Sequence, residues 1–526
     1  MTSLSRRKSI FAVLLLSSAL NAFGITWGLP SVLGWAADEL TPVRVLTGLR
    51  QGFAHGWHDA YPPFHFYVLA AAYAPVLAVD AQPLADIVSS ETGWRRRAGD
   101  FTYMALFVMG RVVSLLMGLG TILAVYRAGL LTFGRGAATG AALIMALTLP
   151  FIYYTKIANV DLPLTFWFGL AFVAYLRILR EHRLRDYVLC ATTAVLAVCA
   201  KDQAYGLFVL PSLHVLASLK RHGRRSFGAT LLDRRVVLAG LVGAAVFVVA
   251  EGIVFNPSGF VAHLGVATGP MNRNLQMFER SPEGYVAMLA LTLRLLLFCF
   301  GLPAAIACAA GAVLAGRRDE RPALVAVLLP CLSYAIFFIG AALVGYDRYL
   351  MPVCACLSLL GGYVLASDRI VAWVRWTLTD AILVFGLARG LAVDLSMVGD
   401  SRYVAEAWMA RNVPRGAPIA VIGPLTHLPR VSGYGWAQRN GLAGVESLRP
   451  EFVILTSDYA HSAREADVED ALVDRSAREL GYTVAFRHRT ALPWPLDLGP
   501  LIQGLEGYTN LHKINPEVAV LRRPEP

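Results

Sequence analysis

Asp38 and Glu39 follow directly on an apolar run that begins near Ile10, and other charged residues occupy the same kind of place along the chain. His58 and Asp59, Lys156 and Asp161, Lys201 and Asp202, and Asp347 and Arg348 each stand at or near the end of an apolar segment. Singly, such a residue need do no more than mark where a helix leaves the lipid. Together, acids at 38, 39 and 161 with bases at 201 and 348 make a candidate site, because ionisable groups at a membrane border are expensive to keep there. The chemistry that suits them is transfer from a phosphate-linked donor. Cations hold the phosphate, arginine with its planar fork and lysine as a point charge, and a carboxylate takes the proton from the attacking hydroxyl.

The elements that must position these groups are membrane helices. Of 526 residues, 56% are hydrophobic and 16% charged, against about a quarter charged in an average soluble domain, and the mean hydropathy is +0.55. Long uncharged stretches recur from Ile10 to Leu395. A span needs about 20 mostly apolar residues, so the chain reads as a polytopic α-helical membrane protein. The net charge of +11 lies in short loops between apolar runs. That pattern is a topology signal, not the basic, aromatic-laced face that a nucleic-acid partner requires. All seven cysteines fall inside apolar runs, without zinc-ligand spacing or a disulfide framework, and read as small buried hydrophobes.

Three basic clusters orient the chain: Arg177 to Arg185, Lys220 to Arg235, and the RRDER stretch at 317–321. With these in the cytoplasm and Arg6, Arg7 and Lys8 holding the N-terminus there, a first span over 10–33 runs outward and places Asp38 and Glu39 outside. Residues 160–176 then run inward, so Asp161 also starts outside. Parity leaves 62–80, YPPFHFYVLAAAYAPVLAV from Tyr61 on, as a re-entrant or surface-lying part of a first external loop covering 35–100, although it is long enough to cross and leaves Arg95, Arg96 and Arg97 outside. Lys201 and Asp202 fall at an external turn between 187–200 and 203–219, and Asn256 to Glu283 form another external loop. One crossing each is expected within 285–316, 323–344, 349–366 and 377–394. The length rule gives roughly eleven spans, a multi-pass protein of the cell membrane with a transmembrane domain over 1–395.

Composition changes at Asp394. The stretch SRYVAEAWMARNVPRGAPIAVIG reads as helix, turn and strand, EFVILTS as a strand, 463–480 as a helix and PEVAVLRR as a last strand. The alternation predicts a small external α/β domain over 396–526, long enough to hold its own core.

The ordered stretches resemble the GT-C glycosyltransferases that use polyprenyl-phosphate sugars, the relatives of protein O-mannosyltransferases and lipid A aminoarabinose transferases. The resemblance is carried by ADEL at 37–40, YPPFHFYVLAA at 61–71, MGRVVSLLMG at 109–118, KIANVDLPLTFWF at 156–168, AKDQAYGLFVLP at 200–211 and YDRYLMP at 346–352. In the tail, WMARNVPRGAPIAVIG and RPEFVILTSDY are similar to the external domains of bacterial members. It implies an 11- to 13-span fold and sugar transfer from a polyprenyl phosphate to a lipid, glycan or protein acceptor. It implies Asp38 as general base and Glu39 as its orienter or an acceptor contact. Asp161 completes an acidic cluster or helps Asp38 hold a divalent cation, Mg²⁺ or Mn²⁺, which oxygen ligands suit. Lys201 and Arg348 hold the lipid phosphate, with Arg111 as a further cation. Two departures stand out. The Pro-Pro pair follows Tyr61 where many relatives have Lys or His, so that phosphate contact is lost or moves to His58 or His65, and Asp59 and Tyr61 join these two as candidate substrate contacts. Asp202 follows Lys201 where relatives have Gly or Tyr, and could dampen its charge. These departures bear on the donor sugar more than on the reaction type. A transporter or lipid flippase has the same border charges, but such proteins usually carry internal repeats, and no repeat relates the two halves here. A catalytically inactive relative acting as a binding partner is a second alternative, against which the retained Asp38 speaks.

Overall fold

A computed structural model describes residues 3–79, 101–224, 226–269, 276–439, 441–457 and 480–524. The helix-like stretch expected at 463–480 and the arginines at 95–97 lie outside the described residues, apart from residue 480. The chain divides into two compact units, one made of Met1–Ala22, Pro42–Val88 and Ala105–Leu387, the other of Phe23–Thr41, Ser89–Met104 and Ala388–Pro526.

The first unit is helical. It contains α1 (Ser3–Ala22), α2 (Pro42–Arg50), α3 (Phe64–Val79), most of α4 (Phe101–Thr132), α5 (Arg135–Ala146), α6 (Leu149–Tyr154), α7 (Asp161–Glu181), α8 (Leu184–Ala200), α9 (Val209–Gly223) and α10 (Arg234–Ala250). It continues through α11 (Pro257–Thr268), α12 (Pro282–Phe300), α13 (Leu302–Ala315), α14 (Arg321–Tyr334), α15 (Met351–Ala366) and into α16 (Ala372–Val398). Among the described residues, six helical segments are long and apolar enough to cross a membrane, Phe101–Thr132, Asp161–Glu181, Pro282–Phe300, Arg321–Ala342, Asp347–Ala366 and Ala372–Asn412. This is a multi-span membrane protein. The apolar runs outnumber the long helices because several runs are interrupted. The run at 136–154 breaks at Leu147 ahead of Pro150. The run at 285–316 breaks at Gly301, whose φ of 72° favours glycine. The end of α12 meets the turn before α15, and α13 packs closely against α15. Cys299 lies against the Asp347 carbonyl, and a Cβ at Gly311 would come within 2.0 Å of the Leu360 carbonyl oxygen.

The first apolar segment is shorter than its sequence suggests. A span over 10–33 is expected from hydropathy, but α1 ends at Ala22 and turns follow. Gly24 and Gly28 adopt φ of 78° and 74° and Pro30 removes a backbone donor, so a helix cannot continue. Helix α3 has 16 residues with Pro75 inside it.

The second unit has helix α17 (Ser401–Asn412) and a five-stranded sheet of β1 (Pro418–Ile422), β2 (Gly435–Arg439), β3 (Phe452–Thr456), β4 (Thr483–His488) and β5 (Val518–Arg522) in the order β2-β1-β3-β5-β4. β1 pairs parallel to β2 and β3, and β5 antiparallel to β3 and β4. Alternate residues build two cores, as the period of a strand requires. Ile419, Val421, Phe452, Ile454, Val518 and Val520 pack with Ala405 and Met409 of α17 on one face. Ala420, Ile422, Val453, Leu455, Ala519 and Leu521 pack with Val445 and Tyr482 on the other. β3 is buried along its whole length, which is why FVILT reads as an uninterrupted apolar run.

Candidate active site

Helices α7 and α8 form a hairpin closed at His182, which takes the left-handed conformation (φ 48°) and ends α7. The hairpin returns the end of α8 to the beginning of α7. Asp161 opens α7 and Lys201 caps α8, so an acid stands at a helix N-terminus and a cation at a C-terminus, the charges that each macrodipole favours. Their side chains, 2% and 10% exposed, meet at 2.5 Å between Lys201 Nζ and Asp161 Oδ1. Asp161 therefore sits in a tight ion pair.

Tyrosine rings extend this pair into a row of cations. Lys201 Nζ lies 4.8 Å from the centre of the Tyr349 ring and 5.9 Å from that of Tyr61. Arg348 covers Tyr349 at 5.5 Å and Tyr346 at 5.2 Å. At the other end Arg44 covers Tyr61 at 5.6 Å and Phe66 at 5.7 Å. Each ring presents its negative face to a cation. The order is Arg44, Tyr61, Lys201, Tyr349, Arg348. Arg348 is half-buried in the turn Asp347–Leu350 that leads into α15, and its backbone N–H donates to the buried Asp347 carboxylate at 2.6 Å.

Asp59 accepts from Arg44 in an ion pair and from the Tyr61 backbone N–H at 3.2 Å. It thereby fixes both Tyr61 and the cation over it. The buried His263 of α11 stands between the Asp202 carboxylate, 3.2 Å away, and the Asp59 carbonyl, 3.4 Å away. Asp202 thus has a histidine partner. Burial alone would lower the His263 pKa, but the Asp202 hydrogen bond and charge outweigh it and raise the value. Trp57, His58, Asp59, Tyr61, Glu251 and His263 line a small cleft here.

His58 is exposed, with Nδ1 3.3 Å from the Gly56 carbonyl. His65 is fully buried in α3, and neither ring nitrogen has a hydrogen-bond partner among the described residues. Arg111 is buried in α4 with its guanidinium 5.4 Å from the Phe107 ring. Lys156 is buried and donates to the Leu20 carbonyl near the end of α1. Asp38 and Glu39 belong to the second unit. Asp38 is exposed with φ 59°, and Glu39 is buried. Among the described residues, no group of three His, Cys, Asp or Glu side chains is arranged to hold a metal ion, and Asp161 is already taken by Lys201. No step is routed through a metal.

Sequence reasoning missed Arg44, Tyr346 and Tyr349. Arg44 lies in PVRVLTGLR, an amphipathic stretch that looks like an ordinary surface helix. The tyrosines carry no charge to draw attention inside an apolar run.

Residues 104–250 match the family model of the dolichyl-phosphate-mannose-protein mannosyltransferases, a region that includes Arg111, Asp161 and Lys201. The structure is similar to ArnT from Cupriavidus metallidurans bound to undecaprenyl phosphate, at 15% identity with a TM-score of 0.53, covering 99% of this chain and 98% of that one. The fold is that of the GT-C glycosyltransferases. The same ArnT in the apo state is similar at 14% identity with a TM-score of 0.50, over 97% of both chains. The Archaeoglobus fulgidus oligosaccharyltransferase complexed with zinc and sulfate gives 15% identity and a TM-score of 0.46, over 91% of this chain and 72% of that one. Comparison with curated proteins returned no match. Within the GT-C fold described here, both ends of the cation–tyrosine row come from segments outside the matched region, Arg44 and Tyr61 before it and Arg348 and Tyr349 after it.

Proposed function

We propose that this protein is a membrane glycosyltransferase that moves a sugar from a polyprenyl-phosphate donor to a hydroxyl-bearing lipid, glycan or protein acceptor on the outer face of the membrane. The observation that carries this reading is the row of cations and tyrosines ending at Arg348, beside the Asp161–Lys201 pair. A phosphate linked to a sugar offers an anionic group for the cations and apolar C–H faces for the rings. The GT-C fold, and the undecaprenyl phosphate bound by the similar ArnT, support the same donor class.

In the proposed reaction the acceptor oxygen attacks the anomeric carbon and its proton passes to the Asp38 carboxylate. The bond between that carbon and the phosphate oxygen breaks, and the electron pair leaves on the phosphate. Lys201 and Arg348 hold the growing phosphate charge, with Arg111 as a further cation. Asp161 fixes where the Lys201 ammonium points. Glu39 orients the base or the acceptor. The N-terminus lies in the cytoplasm and the domain after residue 395 outside, the orientation that the basic clusters favour.

The test incubates membranes containing the protein with a panel of radiolabelled polyprenyl-phosphate sugars. Protein-dependent movement of label from donor lipid to an acceptor fraction is expected. A protein that moves the intact donor between leaflets and transfers no sugar would overturn the reading in favour of a flippase.

A further inference from the structure

The second unit contains a fully buried ion pair whose surroundings are the segment that carries Asp38. Asp400 and Arg402 are both 0% exposed and doubly bonded, at 2.9 Å from Nε to Oδ1 and 2.7 Å from Nη2 to Oδ2. Arg402 also donates to the carbonyls of Thr426 at 3.2 Å and Lys513 at 3.0 Å. Its guanidinium lies 4.3 Å from the Trp35 ring and 5.3 Å from that of Trp27. Trp27 in turn donates its indole N–H to Asp400 at 3.0 Å, and the Gly28 backbone N–H donates to the Tyr403 hydroxyl at 2.9 Å. Arg430 adds a bond to the Pro30 carbonyl at 3.3 Å and also covers Trp35, at 5.3 Å.

Residues 23–41 contain no helix or strand to hold them. Their shape comes from these contacts and from a tight turn. At Gly28, φ is 74° and a Cβ would lie 2.9 Å from the Trp35 nitrogen, so the chain folds directly back on itself. Trp35, Ala36 and Ala37 are then buried, Asp38 emerges exposed at φ 59°, and Glu39 and Leu40 are buried again. A left-handed aspartate is an uncommon conformation, and such residues persist where the surroundings over-determine them. A buried ion pair is a poor way to gain stability, since apolar packing of the same volume does as well or better. What it supplies is direction, because a bidentate guanidinium fits one geometry.

We propose that Arg402, set by Asp400, is a positioning residue that clamps Trp27 and Trp35 so that Asp38 and Glu39 keep a single geometry. It acts through the loop and touches no substrate. The proposal rests on the reading of Asp38 as the base, and it locates the support for that base in the first helix of the C-terminal domain.

The test uses the full-length protein in detergent and two variants. Tyr403→Phe deletes only the hydroxyl that holds Gly28, and Arg402→Met made together with Asp400→Asn empties the clamp of charge without leaving a lone buried carboxylate. Amide hydrogen exchange is followed over residues 34–41 and over β1 and β3, with kcat and donor KM for sugar transfer measured alongside. The clamp predicts faster exchange at 34–41 with unchanged exchange in the strands. It also predicts a fall in kcat of roughly 10- to 100-fold, the scale of a small misplacement of reacting groups, at constant donor KM. Unchanged exchange at 34–41 in both variants, exchange rising equally in the strands, or an unchanged kcat overturns it. A wild-type protein that transfers no sugar sinks the proposed function instead, and exchange at 34–41 then decides on its own whether the clamp exists.

Discussion

Asp161 and Lys201 neutralise each other across 2.5 Å in a largely buried place, so removing either partner has two consequences. Lys201→Ala takes a cation from the proposed phosphate site and leaves Asp161 buried without its counter-charge. A charge-assisted contact is worth roughly 1.5–3 kcal/mol, so donor KM should rise about 10- to 100-fold, and the melting temperature should fall. The double variant Lys201→Ala with Asp161→Asn should regain much of the melting temperature but none of the donor affinity. Recovery of donor affinity in the double variant would mean that the lysine serves folding alone. Arg348→Ala should also raise donor KM, while Tyr349→Phe, which keeps the ring, should change little. Asp38 is exposed and Glu39 buried, so the two acids are not equivalent. Asp38→Asn should leave the fold and donor binding intact and lower kcat by about 100-fold or more, the scale of a lost general base. Glu39→Gln should cost less in kcat. Near-wild-type turnover of Asp38→Asn, measured on purified protein with donor binding in parallel, would remove it as the base.

At the scale of elements, helix α11 is tied to the turn after α8 by a titratable contact. His263, Asp202 and Glu251 gather where α10 ends, α11 lies and α8 gives way to its turn. The sign of the pH dependence follows from the raised His263 value. His263 is held above its ordinary 6.5, so its stabilisation is complete below about 6.5 and is lost as pH rises through the raised folded value. The melting temperature in detergent should drop as pH rises above about 6.5, with a shallower slope in Asp202→Asn, which weakens the partner that raises the value. A slope that steepens or reverses in that variant would refute the assignment.

Across the whole molecule, the orientation proposed from the basic clusters puts Asn256–Glu283 outside and RRDER at 317–321 in the cytoplasm. Ser258 and Arg318 are both exposed. A cysteine at 258 should react with an impermeant thiol reagent on intact cells, and one at 318 only after the membrane is opened. The reverse pattern would invert the map. The two-unit division also changes what supports the acids. The segment 23–41 groups with the C-terminal residues, so truncation after residue 395 should remove sugar transfer even if the helical unit still inserts and folds.

The sequence by itself determined the membrane class, the border charges and the alternating tail, because each depends on local transfer energy or local periodicity. A charge in an apolar run is conspicuous wherever the chain ends up, which is why Asp161, Lys201 and Arg348 could be named as candidates. Only the tertiary structure decided who faces whom. Lys201 meets Asp161 across 40 residues, His263 meets Asp202 across 61, and Trp27 meets Asp400 across 373. Arg44, Tyr349 and Arg402 look ordinary in their own neighbourhoods and gain meaning only from these long closures. The hydropathy of 10–33 promised one helix, but two glycines at positive φ and a proline ended it at Ala22. Asp38 therefore sits in a loop shaped by distant side chains, because apolar character sets where a segment can reside while backbone conformation and pairing set its form.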